Sequence, residues 1–168
     1  MPVRIELYEV AAQEDERFLA AWAGPRETTL HRALRGDVDF RFAAVGGAES
    51  PRGGGFPSHA ALYEVVHHDG TPQGAGGVVL IDPFEVPDGA DDEFLAAWEG
   101  AREAVAGQHG YLGTRLHRSP GAADFRFVNV ARWSSPLMFA RATARAEFGA
   151  AAAEMPFASH PALYTVVK

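Results

Sequence analysis

The chain contains no cysteine, which excludes disulfides, thiol nucleophiles and zinc-thiolate centres. Its one lysine is Lys168, no run of basic residues interrupts the sequence, and the net charge is −7. That balance leaves nothing to neutralise a phosphate backbone, so nucleic acid and anionic membranes are disfavoured as partners. No stretch approaches the roughly 18 apolar residues of a membrane-spanning helix, and Met1-Pro2-Val3-Arg4-Ile5-Glu6 lacks the apolar core of a signal peptide. A soluble cytoplasmic protein is therefore expected. There is no Gly-x-Ser-x-Gly nucleophile motif, and Gly53-Gly54-Gly55 does not lead from a strand into a helix with phosphate-loop spacing. Without suitably spaced carboxylates or imidazoles, no metal site is expected either.

What the chain does have is repetition. Phe18-Leu19-Ala20-Ala21-Trp22-Ala23-Gly24 returns as Phe94-Leu95-Ala96-Ala97-Trp98-Glu99-Gly100, with six of seven positions identical. Leu30-His31-Arg32 returns as Leu116-His117-Arg118, and Asp39-Phe40-Arg41-Phe42 as Asp124-Phe125-Arg126-Phe127. The segment from Phe56 to Val66 returns from Phe157 to Val167 with eight of eleven positions identical. Four blocks in one order indicate a tandem duplication of a small module. Units of roughly 65 and 90 residues are marginal alone, so the copies are expected to share a core or an interface.

Hydrophobic periodicity organises each copy. In the first, strands are expected over Val3–Val10, Thr28–Leu34, Val38–Val45 and Ala60–Val66, with a helix over Asp15–Ala23. In the second, Val78–Phe84 is the first strand, and Asp91 caps a helix whose stripe is Phe94, Ala97, Trp98, Ala101 and Val105. Strands Tyr111–Arg118 and Asp124–Trp133 follow. Ser134-Ser135-Pro136 opens a second helix with a buried face of Leu137, Ala140, Ala144 and Phe148, and Pro161–Val167 closes the unit. The order βαββαβ is the ferredoxin-like arrangement. The first copy lacks the residues for the second helix. The expected organisation is α+β: a pared-down module over 1–67, a polar linker over 68–76, and a complete module over 77–168. An uncovered sheet face in the first copy needs the second copy, or another chain, against it.

The third strand of the second copy carries the most informative residues. Period-2 alternation places Phe125, Phe127, Asn129, Ala131 and Trp133 on one face, an aromatic surface with a single amide in it. A buried amide requires a hydrogen-bond partner, which a neighbouring backbone group or a polar ligand could supply. Asn129 and Trp133 stand roughly 13 Å apart, a span that a planar multi-ring molecule bridges. The first copy has Ala44 in place of Asn129 and only small residues near the position of Trp133, so the pair is peculiar to the second copy.

Asn-x-x-x-Trp on the third strand, followed by a polar-capped helix and preceded by Leu116-His117-Arg118-Ser119, resembles the antibiotic biosynthesis monooxygenase family. Within it, the likeness is to the small anthrone oxygenases of aromatic polyketide pathways. The resemblance implies two modules closing a dimeric α/β barrel within one chain. It also implies oxidation of a phenolic polyketide by O₂ without a cofactor, the substrate itself becoming the electron-rich anion that reduces oxygen. On that pattern Asn129, Trp133 and His117 are catalytic, His117 by moving a proton. Phe125, Phe127, Phe139, Arg141 and Tyr164 line the substrate. Phe139 stands where the family's pattern has a tyrosine, and Ala153 where it has a helix arginine. Two other readings remain open: a non-catalytic scaffold or accessory protein (or a cyclase) of such a pathway, and a haem-degrading enzyme, which would need a histidine that residues 135–153 do not contain. Whether the chain pairs with a second copy of itself is also open.

Overall fold

The computed structural model describes residues 1–71 and 76–168. The first half runs β1 (Val3–Tyr8), a short 3₁₀ turn, α1 (Asp15–Ala21), β2 (Thr29–Ala33), β3 (Phe42–Gly46) and β4 (Ser58–Gly70). The second half runs β5 (Val78–Phe84), α2 (Asp91–Ala106), β6 (Tyr111–Arg118), β7 (Phe127–Trp133), α3 (Pro136–Thr143), α4 (Ala146–Ala153) and β8 (Ala162–Val166). These are two ferredoxin-like modules, the first without its second helix. Their eight strands close into one barrel in the order β1-β3-β2-β8-β5-β7-β6-β4, every neighbouring pair antiparallel.

The halves are joined edge to edge, because β4 pairs with β6 and β8 pairs with β2. Closure removes the free edges that each four-stranded sheet would otherwise present. One side of every strand faces the barrel interior, where Ile5, Tyr63, Ile81, Val128 and Tyr164 pack together. The other side faces the helices.

The repeated blocks are the parts that hold the halves in register. Tyr63 Oη donates to the Phe125 carbonyl at 2.8 Å, and Tyr164 Oη donates to the Phe40 carbonyl at 2.6 Å, so each half reaches into the other. His59 Nδ1 lies 2.7 Å from Asp124 Oδ2 and His160 Nδ1 lies 2.6 Å from Asp39 Oδ2, again across the halves. Within each half, Phe18 stacks on Phe42 and Phe94 on Phe127, both at 4.2 Å. Arg41 grips Asp15 through two nitrogens, as Arg126 grips Asp91.

Several elements differ from the sequence expectation. Asp91 does not cap α2; its carboxylate is committed to Arg126, and Ala90 holds the cap position without a side-chain bond. The strand expected from Val38 or Asp124 begins only at Phe42 or Phe127, since the preceding residues bend to meet the opposite half. His68 to Gly70, expected in the linker, continue β4 past a bulge because Gly113 to Arg115 of β6 offer them partners. Residues 72–75 of the expected linker lie outside the described residues. Ser135 does cap α3, accepting from the Met138 amide at 3.2 Å, with Pro136 in the first turn. The expected second helix is broken, however: Arg145 is extended (φ −70°, ψ 146°) and separates α3 from α4. The buried face of α3 is also not the expected one: Leu137 is 55% exposed, and Ala140 and Ala144 are exposed too, while Ala142 is buried and Met138, Phe139 and Phe148 are half-buried. Gly110, at φ +89°, lets the turn before β6 come against α3; a side chain there would collide with Met138.

Candidate functional site

A cavity of about 420 Å³ lies between the helix-facing side of the second-half sheet and α2, α3 and α4. That is within the ~300–1,000 Å³ range of small-molecule sites. Period-2 alternation decides which strand residues reach it, with the bulge between Tyr111 and Gly113 bringing Tyr111 to the same side as Thr114. From β5 come Leu80, Asp82 and Phe84; from β6 Tyr111 and Thr114; from β7 Asn129, Ala131 and Trp133. The helices supply Trp98, Arg102, Phe139 and Phe148, so the wall is mostly apolar with a few polar groups converging on it.

Those polar groups are held but not saturated. Thr114 Oγ1 donates to Asn129 Oδ1 at 2.6 Å, which fixes the amide and commits its oxygen, so Nδ2 is the part left to meet a ligand. Trp133 is wedged edge-on between Tyr111 and Phe139, at ring distances of 5.3 and 5.5 Å, and its buried Nε1 has no hydrogen-bond partner among the described residues. Asp82, directly across the ladder from Asn129, has a buried Oδ1 that is likewise unpartnered. Burial pushes its carboxyl up to about 7; Ser159 and His160 ease the charged form without offsetting the desolvation. Unpaired donors and an unpaired acceptor in an apolar cavity are what a polar, largely aromatic ligand would satisfy.

The first half takes part through the end of β4. Asp69 accepts from Tyr111 Oη at 2.7 Å, from Arg102 Nη1 at 2.9 Å and from the Thr114 amide at 3.3 Å. Burial opposes its charge, but hydrogen bonds from His67 and Tyr111 and the Arg102 guanidinium hold the carboxyl below the usual range. The equivalent face of the first half is packed by Tyr8, Phe18, Trp22 and Phe42, with Phe56 against them.

Of the residues singled out in the sequence, the cavity brings together Asn129, Trp133 and Phe139. Phe127 sits on the same side but inside the Phe84–Phe94 cluster. Four others lie elsewhere. His117 points from β6 to the opposite face, into a separate cavity of about 310 Å³ that His31 also lines. Its Nδ1 lies 3.2 Å from the Val128 carbonyl, and burial lowers its pKa to about 4, so the ring is neutral and a weak base there. Phe125 precedes β7 and packs on Phe40, His59 and His160. Tyr164 belongs to the barrel interior, and Arg141 is exposed on α3.

Sequence reasoning missed Asp82, Thr114 and Arg102. Asp82 had a signal: it is the one charged residue in Val78-Val79-Leu80-Ile81-Asp82-Pro83-Phe84, and Glu6 occupies its place in the first half. Among the described residues no histidine lines the cavity, and no group of three His, Asp or Glu side chains is placed to hold a metal. No helix among them is long and apolar enough to cross a membrane.

Residues 78–154 match the model of the antibiotic biosynthesis monooxygenase family. Among solved structures, an anthrone oxidase-like protein is 12% identical with a TM-score of 0.69, over 99% of this chain and 91% of its own. SnoaB, a cofactor-independent oxygenase from Streptomyces nogalater, is 28% identical with a TM-score of 0.51, over 56% of this chain and 96% of its own. The haem-degrading enzyme LmHde from Listeria monocytogenes is 16% identical with a TM-score of 0.58, over 98% of each chain. The first and third likenesses are of fold; they extend the two-module arrangement across nearly the whole chain. No curated protein matches at a significant level.

Proposed function

We propose, from the match of residues 78–154 to the antibiotic biosynthesis monooxygenase family, that the second-half cavity oxidises a phenolic, anthrone-like polyketide with O₂, giving a quinone or hydroxylated product without a bound cofactor. The observation that carries the reading is the apolar cavity in which Asn129, Trp133 and Asp82 hold unspent hydrogen-bonding capacity around a space of about 420 Å³. The likeness to a cofactor-independent oxygenase supports it. In such chemistry the substrate anion itself reduces oxygen, and the protein contributes orientation and electrostatic stabilisation. Asn129 Nδ2 would donate to the substrate oxygen on which charge develops. Trp133 would give the rings an edge to pack on and its Nε1 a second donor. Haem degradation is the weaker reading, because no histidine lines the cavity to serve as an axial ligand.

The test is metal-free protein mixed with an anthrone under oxygen, with quinone absorbance followed for the wild type, Asn129→Ala and Trp133→Phe. Removing one preorganised donor costs about 10²-fold or more in turnover when the site is catalytic. The expected result is such a loss with circular dichroism unchanged. Phe139, which brings no hydroxyl to the cavity, favours a non-catalytic ligand carrier; wild-type turnover no faster than the spontaneous rate would establish that reading.

A further inference from the structure

The two halves place a carboxylate at the same position of their first strands, Glu6 on β1 and Asp82 on β5, and treat it differently. Glu6 has a cation and a hydroxyl: Arg4 Nε lies 3.5 Å from Oε2, and Ser58 Oγ donates to Oε1 at 2.7 Å. In the second half Ser159 is retained in the place of Ser58, but Leu80 replaces Arg4. Among the described residues one oxygen of each carboxylate, Glu6 Oε2 and Asp82 Oδ1, lacks a hydrogen-bond partner, but only Glu6 has a guanidinium beside it; Asp82 faces a cavity with no ion pair. Its position in the ladder is opposite Asn129, so the two side chains leave the sheet about 5 Å apart on the same face. A molecule held by the Asn129 amide would lie against the Asp82 carboxyl.

We propose that Asp82 is the proton acceptor of the site. The proposal rests on the oxygenase reading. The carboxylate removes a proton from the acidic methylene of the substrate; the C–H bond breaks and its electron pair enters the ring system. That anion is oxidised by O₂, a C–O bond forms, and the peroxide oxygen takes the proton back from Asp82. The carboxylate then removes the second methylene proton while the O–O bond breaks. The products are a carbonyl and hydroxide, which leaves as water with the proton that Asp82 returns. One CH₂ and one O₂ thus become one C=O and one H₂O. A carboxyl that titrates near neutrality suits a base that must both take and return a proton.

The groups that face Asp82 are few. His160, ahead of β8, favours its charged form; Arg102 on α2 and Tyr111 on β6 line the same cavity; α3 and α4 bring no titratable side chain to it. Tyr164 on β8 is coupled to Asp82 and, through burial, stays protonated. His160 is itself raised: burial disfavours its charge, but Asp39 and Glu85 outweigh that. It must therefore be controlled for.

The experiment measures kcat/KM for anthrone oxidation from about pH 5.5 to about pH 8.5 in the wild type, Asp82→Asn, Asp82→Glu and His160→Gln, and measures binding of a dihydroxyanthraquinone, which has no methylene left for this reaction, in parallel. Expected are a wild-type rate that rises through neutrality and a loss of about 100-fold in Asp82→Asn together with that rise. Binding in Asp82→Asn should stay within about threefold, Asp82→Glu should recover part of the rate, and His160→Gln should keep the rise. Asp82→Asn turning over within about twofold of an active wild type, with the same profile, overturns the assignment and leaves the oxygenase reading standing. A wild type that binds the quinone but oxidises no anthrone overturns both. Should the variants fail to fold, a flat wild-type profile is sufficient to reject Asp82.

Discussion

Replacing Asp69 by Ala tests whether the first half supports the cavity of the second. The Asp69 carboxylate is about three-quarters buried and accepts from Tyr111, Arg102 and the Thr114 amide, while His67 Nε2 lies 3.0 Å away. Hydrogen bonds to a charged group contribute about 1.5–3 kcal/mol each when buried, and the contributions within one network do not add. Arg102 retains Glu99 in the variant, and water reaches the rest. A loss of about 2–3 kcal/mol is therefore expected, read as a shift of the urea midpoint at constant m. Asp69→Asn, which keeps an acceptor for Tyr111 and Thr114 but gives up the charge facing Arg102, should lose about half of that. The pH dependence has a definite sign. The folded carboxyl is held below its ordinary value, so its contribution is complete above about pH 4 and is lost as pH falls through the lower folded value. The gap between wild type and Asp69→Ala should accordingly be constant from about pH 5 to pH 8 and close in stronger acid. A gap under about 0.5 kcal/mol at pH 7 would refute the idea that the end of β4 buttresses Tyr111 and Arg102.

Asp82→Asn should stabilise the protein at pH 8. The folded carboxyl is raised to about 7 against an ordinary value near 4, so the stability it contributes is complete below about pH 4 and lost as pH rises through 7; ionising it there costs up to about 4 kcal/mol. Thermal or urea unfolding of the variant should gain about 1–4 kcal/mol at pH 8 and almost nothing at pH 4, whereas equal gains at both would show that the carboxyl is not strained by burial. Tyr63→Phe and Tyr164→Phe each strip a donor from a buried carbonyl of the opposite half, so each should cost about 1–3 kcal/mol. Near-equal losses are expected because the contacts are equivalent; a loss confined to one variant would argue against a symmetric join.

Much of this arrangement was legible in the sequence because it is local. Alternation along β7 assigns Asn129 and Trp133 to one face, and Ser135-Pro136 marks the start of α3. What was not legible depends on pairing between distant segments. His117 is on β6, where Thr114 and Leu116 take the helix side, so alternation sends its ring into the barrel; the motif around it does not reveal that. Phe125 follows the same alternation as Phe127 only if the strand is regular, and the chain bends there to meet His59 and His160. His67 to Gly70 have the composition of a turn, yet β6 supplies them with a partner. Asp82 is the instructive omission: an isolated acid in an apolar strand was visible, but its importance comes from Leu80 standing where Arg4 stands in the other half and from Asn129 standing opposite.

The central claim is that this chain oxygenates an aromatic substrate with its own side chains, in the second-half cavity. Oxygen uptake by chelator-treated protein supplied with an anthrone tests it most directly. One O₂ consumed per quinone formed, at a rate proportional to protein and lost in Asn129→Ala, is the predicted result; uptake no faster than in buffer alone would contradict it.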